Sequence, residues 1–478
     1  MASRRSLLAT VWLLILLLLT LGGALVEARP SPSSHAPRRH LWTAGSTASV
    51  NNGHYAPAAP SHTTHRKLGE KSGNNKAPKN GIQLDVGSFG AAGDGKSDDT
   101  GAFHKAWAEA CSSAQPATVL VPAGKSYLLK ETSLSGPCKS KVTLKLDGTL
   151  VAPDDKSGWG TQGHPKWISF DNVDGLTVTG KGTMDGRGKS SWKRSCRTNH
   201  KLPCTFAPAA LSFSSCDRLT VEGVRLVNAP QIHVWVESCR DVTLSRLTIA
   251  SPGNSPENDG IHVSRSDGVR ILGARIKAGD DCISVASGTS NLYATKIECG
   301  PGHGISVGSL GKGNTRAEVS NVTIDGAHVS GTLYGARIKT WRGGTGYARG
   351  IKFLNMVMDK VKNPIAIDQN YCSTSDPNEP CERQQGASAA VQVSDVVFSN
   401  IKGTGTNKDA IKLHCSDAFP CRDIVLRDID LKTKAKRGGG ATSTCQNAVL
   451  AESTNVSPAP CSTAATKDDL VPRGSEDD

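Results

Sequence analysis

The feature that most constrains the fold is a short pattern that returns at a fixed interval. Asp259-Gly-Ile-His262, Asp281-Cys-Ile-Ser284 and His303-Gly-Ile-Ser306 are three copies of this pattern, each 22 residues after the one before. A repeat of this length, with room for short strands and their turns, is typical of solenoid folds in which each repeat stacks only on its neighbours. The chain is therefore expected to wind into coils that share one elongated core.

A wider series of strand starts supports the same fold. Polar turn residues precede short alternating apolar runs, mostly 23 to 30 residues apart, at Asp217, Asp241, Asp267, Ser290 and Asn321. Fifty glycines separate such runs along the chain. Short strands between tight turns predict an all-β fold, a right-handed parallel β-helix. A leucine-rich repeat has a similar period but needs a denser leucine pattern, and a β-sandwich would not keep a regular period.

One short helix is expected at the N-terminal end of this β-helix. It runs from Asp99, which would cap it, to Cys111. Its apolar residues fall on one face at helical spacing, namely Phe103, Ala106, Trp107 and Ala110. Such a helix can cover the open end of a solenoid core.

The sequence divides into four expected segments. Residues 1–28 are predicted to be an export signal, because two arginines precede an apolar stretch from Leu7 to Val26. Residues 29–80 are rich in Ser, Pro, Ala, His and Asn and are expected to be disordered or propeptide-like. Residues 81–437 form the expected β-helix catalytic domain, and residues 438–478 a polar C-terminal tail. No segment after the signal is apolar enough to span a membrane, so no stable membrane association is expected.

Cysteine content and charge indicate where the protein works and what it meets. Fourteen cysteines in an exported chain are expected to pair in disulfides rather than bind metal. Close pairs that would staple surface loops are Cys196/Cys204, Cys372/Cys381 and Cys415/Cys421. A formal net charge of +13 favours an acidic partner. For an exported chain this partner is an acidic polysaccharide rather than nucleic acid.

The repeat also aligns chemically active side chains. If each 22-residue interval is one coil, Asp259, Asp281 and His303 occupy equivalent positions on strands about 4.7–4.9 Å apart. The following coil offers Arg337 and Lys339, which share one face of a strand because they are two residues apart. The sequence thus predicts acids, an imidazole and two cations on a single face.

Asp280 adds a third carboxylate to this column. For Asp280 and Asp281 to serve one site, the pair must lie where a turn enters the strand, which Gly279 permits. Crowded carboxylates cannot all ionise freely, because like charge raises the pKa of one of them. A protonated acid beside ionised carboxylates can supply the proton donor and the base for water that glycoside hydrolysis needs.

The same residues carry a resemblance to a known family. Four blocks are similar to the signature blocks of the polygalacturonases, especially those of plants: residues 254–262 (NSPENDGIH), 279–284 (GDDCIS), 302–308 (GHGISVG) and 337–339 (RIK). Further similar segments lie at 89–99, 182–187 and 368–371, so the resemblance covers about residues 82–435. It implies a pectin-degrading glycoside hydrolase with a β-helix fold.

The resemblance also implies roles for the acids and the imidazole. Asp280 would be the general acid that protonates the glycosidic oxygen. Asp259 and Asp281 would bind and activate the attacking water, with inversion at the anomeric carbon. His303 would hydrogen-bond within the acid cluster and help to hold its protonation state.

Substrate binding follows from the same resemblance. Arg337 and Lys339 would hold the galacturonate carboxylate, and Tyr371 matches a family tyrosine that contacts the sugar. One position departs from the family pattern, because Glu257 stands where the first block has asparagine. This places an extra acid beside a site for an anionic sugar.

Other functions stay open on the sequence alone. A catalytically inactive pectin-binding wall protein would use the same basic groove, and a related hydrolase would act on rhamnogalacturonan or xylogalacturonan. A pectate lyase would need a calcium-binding acid cluster and an arginine base. The sequence indicates no cofactor and no metal, and the expected state is a secreted, extracellular monomer acting in the cell wall.

Overall fold

The structure is a computed structural model that describes residues 81–154, 165–372, 389–433 and 440–461. Within these ranges the chain forms 31 strands in two sheets, one of 11 strands and one of 20. Strands within each sheet pair in parallel, and the chain alternates between the two sheets. This arrangement confirms the parallel β-helix.

The strand bounds follow the order of the coils. The 11-strand sheet contains β5 (Thr132–Ser135), β8 (Lys166–Asp171), β11 (Ala209–Ser214), β14 (Val234–Glu237), β17 (Ile261–Ser264), β20 (Asp281–Val285), β22 (Gly304–Leu310), β24 (Tyr334–Trp341), β26 (Asn363–Tyr371), β28 (Asp409–His414) and β30 (Thr442–Gln446). The 20-strand sheet contains β1 (Ile82–Asp85), β2 (Asp94–Asp98), β3 (Ala117–Val121), β4 (Ser126–Leu128), β6 (Val142–Leu146), β7 (Thr149–Val151), β9 (Thr177–Thr179), β10 (Thr183–Asp185), β12 (Thr220–Glu222), β13 (Arg225–Val227), β15 (Arg240–Ser245), β16 (Thr248–Ala250), β18 (Asp267–Leu272), β19 (Arg275–Lys277), β21 (Thr289–Cys299), β23 (Arg316–Ser330), β25 (Thr345–Val361), β27 (Gln392–Gly405), β29 (Cys421–Thr433) and β31 (Ala448–Ser457).

The strand starts expected from the repeat belong to the 20-strand sheet. They lie in or just before β12, β15, β18, β21 and β23. The turn residues Asp241, Asn291 and Asn321 have φ angles of 53°, 54° and 55°. This left-handed region is one that Asp and Asn tolerate better than most residues. Two of the five polar residues that mark the repeat, Asp241 and Asn321, therefore have a local conformational reason.

Ladders of apolar side chains build the core. One ladder in the 20-strand sheet passes through successive coils and consists of Val221, Leu244, Ile271, Ala294, Ile324, Phe353, Phe398 and Leu426, all buried. The rings of Phe353 and Phe398 stack with their centroids 5.4 Å apart. Full burial of one large apolar side chain stabilises a fold by about 1.5–3 kcal/mol. Alternation along each strand thus supplies the continuous core of the solenoid.

The expected N-terminal helix is present as α1 (Thr100–Ser112), and its predicted apolar face is buried. Asp99 holds the N-cap position, but its carboxylate accepts hydrogen bonds from the backbone N–H groups of Ala92 and Gly93 and not from the helix. The expected side-chain cap is therefore wrong, because the preceding turn takes up both oxygens. A second short helix, α2, spans Lys189–Lys193, and two 3-10 turns span Val86–Phe89 and Lys312–Asn314.

Paired strands continue past residue 437, where the β-helix domain was expected to end. β30 pairs with β28, and β31 pairs with β29. The segment Thr442–Gln446 is polar and mostly half-buried, so the apolar alternation that marks earlier strands is missing from its sequence. Backbone pairing with the previous coil accounts for this last turn. The expected export signal and the 29–80 segment lie outside the described residues.

Disulfides close several loops. Those formed are Cys111–Cys138, Cys196–Cys204, Cys282–Cys299, Cys415–Cys421 and Cys445–Cys461. Cys372 is also disulfide-bonded, and its expected partner Cys381 lies outside the described residues. The expectation that every cysteine pairs is wrong for Cys216 and Cys239, which are free and buried. They lie on adjacent coils, where a thiol packs as a small apolar side chain.

No helix in the described ranges is both long and apolar enough to cross a bilayer.

Candidate active site

Asp259, Asp281 and His303 lie at the start of three consecutive strands of the 11-strand sheet. β17, β20 and β22 pair in sequence order, with their isoleucines opposite one another at intervals of 22 residues. Asp281 is the first residue of β20, whereas Asp259 and His303 lie just before β17 and β22. The structure therefore brings the three side chains to the same edge of one sheet.

The register of these strands differs from the sequence expectation in one place. Asp281 lies opposite Gly304, not opposite His303, because β20 has one extra residue, Cys282, before the ladder resumes. His303 consequently faces Asp280: its backbone N–H donates to the Asp280 carbonyl at 2.8 Å, and its Nδ1 lies 2.7 Å from Asp280 Oδ1. Cys282 points into the core and is tied to Cys299. A β-bulge thus directs both neighbouring aspartates into one site.

Gly279 permits this turn for a steric reason. A Cβ atom at Gly279 would lie 1.8 Å from the backbone oxygen of Ser255, which is far inside van der Waals contact. The side-chain hydroxyl of Ser255 donates to Asn258 Oδ1 at 3.0 Å. The turns before β17 and β20 therefore pack backbone against backbone. This close approach fixes where Asp280 leaves the turn.

Asp281 is the most buried of the three acids. Its Oδ1 accepts a hydrogen bond from Ser306 Oγ at 2.7 Å, and its Oδ2 accepts one from Lys339 Nζ at 2.8 Å. The side chains of Lys339 and Asp281 are 9% and 3% exposed. Burial lowers the pKa of Lys339, but the charge of Asp281, together with those of Asp280 and Tyr371, gives a net upward direction. Lys339 is therefore a charged partner of Asp281.

Asp259 has a different environment. Its Oδ2 accepts a hydrogen bond from Ser284 Oγ at 2.7 Å, and Ser284 Oγ is also 2.7 Å from Nδ1 of His262. Burial raises the pKa of Asp259, and the charges of Asp280 and Asp281 raise it further, against a lowering by His262. Burial and like charge thus favour the protonated form of Asp259.

The pKa of Asp280 is shifted in the opposite direction, downward, chiefly by His303. Burial raises the pKa of Asp280, but the hydrogen bond and charge of His303, aided by Lys339, lower it to about 2. Burial lowers the pKa of His303, whereas Asp280 raises it by more, so its pKa lies above the usual value of 6.5. The free chain therefore holds an Asp280 carboxylate against a His303 imidazolium over the acidic pH range.

Arg337 projects from β24 beside this cluster and has its own aromatic surroundings. Its guanidinium carbon lies 3.8 Å from the ring centroid of Tyr334 and 5.2 Å from that of Tyr371. Tyr371, on β26, packs edge-on against Trp341 at 5.1 Å. Among the described residues Arg337 forms no ion pair, and its buried Nε has no hydrogen-bond partner. The two predicted cations thus differ, since Lys339 is paired and Arg337 is not.

These side chains border one open cleft of about 490 Å³. Its lining includes Asp280, His303, Tyr334, Arg337, Lys339 and Tyr371, together with Arg197 and Glu257. Asp280 reaches this cleft with its side chain 23% exposed, whereas Asp259 and Asp281 lie behind it. Six of the expected site residues therefore meet in the cleft or next to its lining on adjacent coils, and Tyr371 also lines the cleft.

Glu257, the departure from the family pattern, forms an ion pair in the same cleft. Nε and Nη2 of Arg197 donate to Glu257 Oε1 at 3.0 and 2.9 Å. The added negative charge is therefore compensated locally. No local signal in the sequence marks Arg197, because it lies 60 residues from Glu257 in a loop without periodicity.

Other contributors were also missed by sequence analysis. Tyr334 lies beneath the Arg337 guanidinium, and Ser284 and Ser306 each donate to an acid. The two serines follow Asp281 and His303 by three residues and belong to the 22-residue repeat. Their spacing of 22 residues was a usable signal, whereas nothing in the sequence distinguished Tyr334.

The acid cluster also meets a simple criterion for a metal site. Ligand atoms of Asp280, Asp281 and His303 lie within 4.8 Å of one another. The ammonium of Lys339 already lies 2.8 Å from Asp281 and supplies positive charge there. Lys339 therefore already offsets part of the negative charge of these ligand atoms.

Comparisons with known proteins show similar polygalacturonases. Polygalacturonase-2 of Solanum lycopersicum is 47% identical over 404 residues, which cover 84% of this chain and 86% of that protein. A polygalacturonase of Persea americana is 42% identical over 390 residues, 82% of each chain. The solved structure of polygalacturonase from Erwinia carotovora ssp. carotovora has a TM-score of 0.63 and 22% identity, covers 80% of this chain and 99% of its own, and supports the fold.

A family match spans nearly the whole solenoid. Residues 111–458 match the family described as Glycosyl hydrolases family 28, and this range contains all the candidate acids and cations. The length of the match and the identity to the plant relatives decide the assignment: the chain belongs to glycosyl hydrolases family 28.

Proposed function

We propose that the chain is a polygalacturonase, which hydrolyses α-1,4-linked galacturonic acid in pectin by acid–base catalysis. The observation that carries the proposal is a cleft in which Asp280, backed by Asp259 and Asp281, lies next to the unpaired guanidinium of Arg337. A uronic acid polymer offers a glycosidic oxygen to the acids and a carboxylate to the cation. The curated relatives named polygalacturonase support the same substrate class.

Arg337 is the main anchor for the substrate carboxylate in this proposal. Its planar guanidinium lies between two tyrosine rings and has donors left over, a suitable arrangement for bidentate carboxylate binding. Tyr371 supports both cations from the next coil and offers a ring and hydroxyl to the sugar. Lys339 adds positive charge while it neutralises Asp281.

The acids divide the chemical work according to the family resemblance. Asp280 protonates the glycosidic oxygen, while Asp259 and Asp281 hold the attacking water and accept its proton, with inversion at the anomeric carbon. Asp281 has both oxygens engaged by Ser306 and Lys339, whereas Asp259 has one oxygen engaged by Ser284. Asp259 is therefore the acid better able to accept the proton of water.

In the free site the pKa values of Asp280 and Asp259 are shifted in directions opposite to those that these roles require. His303 lowers the pKa of Asp280 to about 2, while burial raises that of Asp259. A bound galacturonate adds a negative charge and displaces water near Asp280, and both changes raise the pKa of a carboxyl group. Substrate binding therefore favours protonation of Asp280, with the proton supplied through its hydrogen bond to His303.

The basic test counts new reducing ends released from polygalacturonic acid. The wild type should release them, and Asp280→Asn should abolish release while the melting temperature shows that the fold remains. Binding without release by the wild type would identify a pectin-binding wall protein. Release from rhamnogalacturonan or xylogalacturonan but not from polygalacturonate would identify a related hydrolase.

A second test assigns the proton donor. An aryl galacturonide whose leaving group is an acidic phenol needs little protonation, so a variant without the donor keeps most of its rate on this substrate. We expect Asp280→Asn to keep that rate and Asp259→Asn to lose it. The opposite result would make Asp259 the donor, in line with its raised pKa in the free chain.

Export to the cell wall and action as a single chain complete the proposal. The basic residues followed by the apolar stretch Leu7–Val26 fit a signal for secretion, and the disulfides fit an oxidising compartment. Detection in the wall fraction after expression, and a monomer mass by light scattering, check these two parts.

A further inference from the structure

A second groove lies on the 20-strand sheet. It is open, has a volume of about 460 Å³ and is lined mainly by residues of β13, β16, β19, β21 and β23. Its outward row consists of Arg225, Thr248, Arg275, Glu298 and His328, which lie opposite one another on successive strands. Among the residues that the structure describes, none lines both this groove and the catalytic cleft. The groove is therefore a separate surface.

Small residues between longer ones give this groove its depth. A second outward row runs beside the first, because residues two apart on a strand share a face. In this row Ala250 lies opposite Lys277, and Gly300 has the corresponding position on the next coil. A Cβ atom at Gly300 would lie 1.9 Å from the backbone oxygen of Ser330, so a side chain is excluded there. Ala250 and Gly300 thus leave a depression between the longer side chains around them.

The side chains around this depression carry a positive net charge. Arg275 Nε lies 3.0 Å from Glu298 Oε2, so these two charges compensate each other. Arg225 and Lys277 are exposed and form no ion pair within the part of the chain that the structure describes. Their strands, β13 and β19, are two strand spacings apart, about 9–10 Å. This spacing favours a ligand with repeated carboxylates over a single small anion.

The groove also lies close to the turns that bear the catalytic side chains. Lys277 ends β19 and precedes Asp280 by three residues, a backbone span of at most about 11 Å. Cys299 ends β21 and precedes His303 by four residues. The turns that carry the acid and the imidazole therefore run from the groove to the cleft. A long polymer can reach both surfaces, whereas a chain that only fills the cleft cannot.

We propose that this groove is a second, non-catalytic binding site for a polyuronate chain, which Arg225 and Lys277 hold by its carboxylates while another segment of the same polymer occupies the cleft. The inference rests on the proposed function, because it takes polygalacturonate as the ligand, and it adds a site outside the cleft. Binding of the second segment is intramolecular, so it strengthens the attachment of long polymers alone. A merely solvated basic surface predicts no such dependence on polymer length.

Replacement of Arg225 and Lys277 together by glutamine tests the groove without a change in the cleft. With long polygalacturonate at low salt we expect KM to rise about threefold to tenfold, the range of two exposed charge interactions, while kcat stays the same. With the shortest galacturonate oligomer that the enzyme hydrolyses, both constants should equal those of the wild type, because such a chain gains nothing from a second site. An equal rise of KM on polymer and oligomer, or no rise on the polymer, would overturn the proposal.

Glu298→Gln should act in the opposite direction. It removes the negative charge of the groove and leaves Arg275 uncompensated, so KM for polygalacturonate should fall. Arg270→Gln combined with Lys352→Gln is the matched control, because it removes two exposed cations from the same sheet outside the groove. This control should keep the wild-type KM. A rise in the control as large as that in the groove variant would show that only the overall charge matters and would overturn the proposal.

Affinity electrophoresis in gels that contain polygalacturonate supplies a readout independent of hydrolysis. The double variant of Arg225 and Lys277 should be retained less than the wild type, and the control variant equally. If the wild type releases no reducing ends but retention falls in this double variant alone, the hydrolase function fails and the second binding site stands. If reducing ends appear and neither KM nor retention changes, the function stands and the second binding site fails.

Discussion

Replacing Lys339 with methionine tests how far a buried ion pair holds the centre of the site together. Lys339 Nζ lies 2.8 Å from Asp281 Oδ2, with the side chains 9% and 3% exposed. Methionine keeps the unbranched shape but removes the charge, so Asp281 is left as a buried carboxylate with Ser306 as its hydroxyl donor. Removal of one partner from such a pair costs about 3–5 kcal/mol, and we expect a loss of that size in the free energy of unfolding.

Urea unfolding at pH 7 without reductant, followed by tryptophan fluorescence, measures this loss. Lys352→Met is the control, because Lys352 is exposed on β25 and its replacement should change the unfolding free energy by no more than about 0.5 kcal/mol. Asp281→Asn in the Lys339→Met background removes the second charge. The double variant should therefore lose less stability than the sum of the two single variants. Additive losses, or a loss in Lys339→Met no larger than in the control, would refute the reasoning.

Three further predictions concern protonation, backbone approach and the thiols. Burial raises the pKa of Asp280, but His303 lowers it by more, so that the pKa falls from 3.8 to about 2. The ionised Asp280 therefore stabilises the fold by about 2 kcal/mol, at 1.36 kcal/mol per pKa unit. This contribution is present above pH 3.8 and is lost as the pH falls through the lowered pKa of about 2. Melting temperatures of wild type and Asp280→Asn should therefore converge between pH 4 and pH 2, and a constant gap would contradict this. Gly279→Ala should lower both melting temperature and activity because its Cβ meets backbone, whereas Gly101→Ala in α1, with open space around it, should be neutral or stabilising. A thiol titration without reductant should detect the two free buried cysteines only after denaturation; reaction in the native state would show that they are accessible.

The fold was predictable because the coils of a solenoid repeat a similar residue pattern at a regular interval in the sequence. Each coil must place apolar residues in the same ladder and a turn residue in the left-handed region, so alternation and Asp or Asn recur together. The last coil shows where this reasoning stops. The segment Thr442–Gln446 has little apolar alternation, and it joins the sheet through backbone pairing that a hydrophobicity pattern does not reveal.

The sequence could place the candidate acids, imidazole and cations on adjacent coils, but it could not give their contacts. A 22-residue interval places Asp259, Asp281 and His303 on adjacent strands, which the pairing of β17, β20 and β22 supports. The partner of His303 depends on the extra residue Cys282 in β20. The 22-residue interval does not reveal that a strand contains such a bulge. Contacts between distant loops, such as Arg197 with Glu257, have no local signal either.

The bulge explains how a repeat can carry three unlike acids. In a perfect solenoid, equivalent positions have equivalent neighbours, so stacked aspartates would share one environment and one range of pKa values. The extra residue in β20 breaks that equivalence: Asp280 meets an imidazole, Asp281 a buried ammonium and Asp259 a hydroxyl. Different partners move the pKa values of Asp259 and Asp280 in opposite directions, and separated pKa values are what acid–base catalysis by like side chains needs. Removal of Cys282 from β20 would restore the register and should therefore abolish catalysis even if the coils still stack.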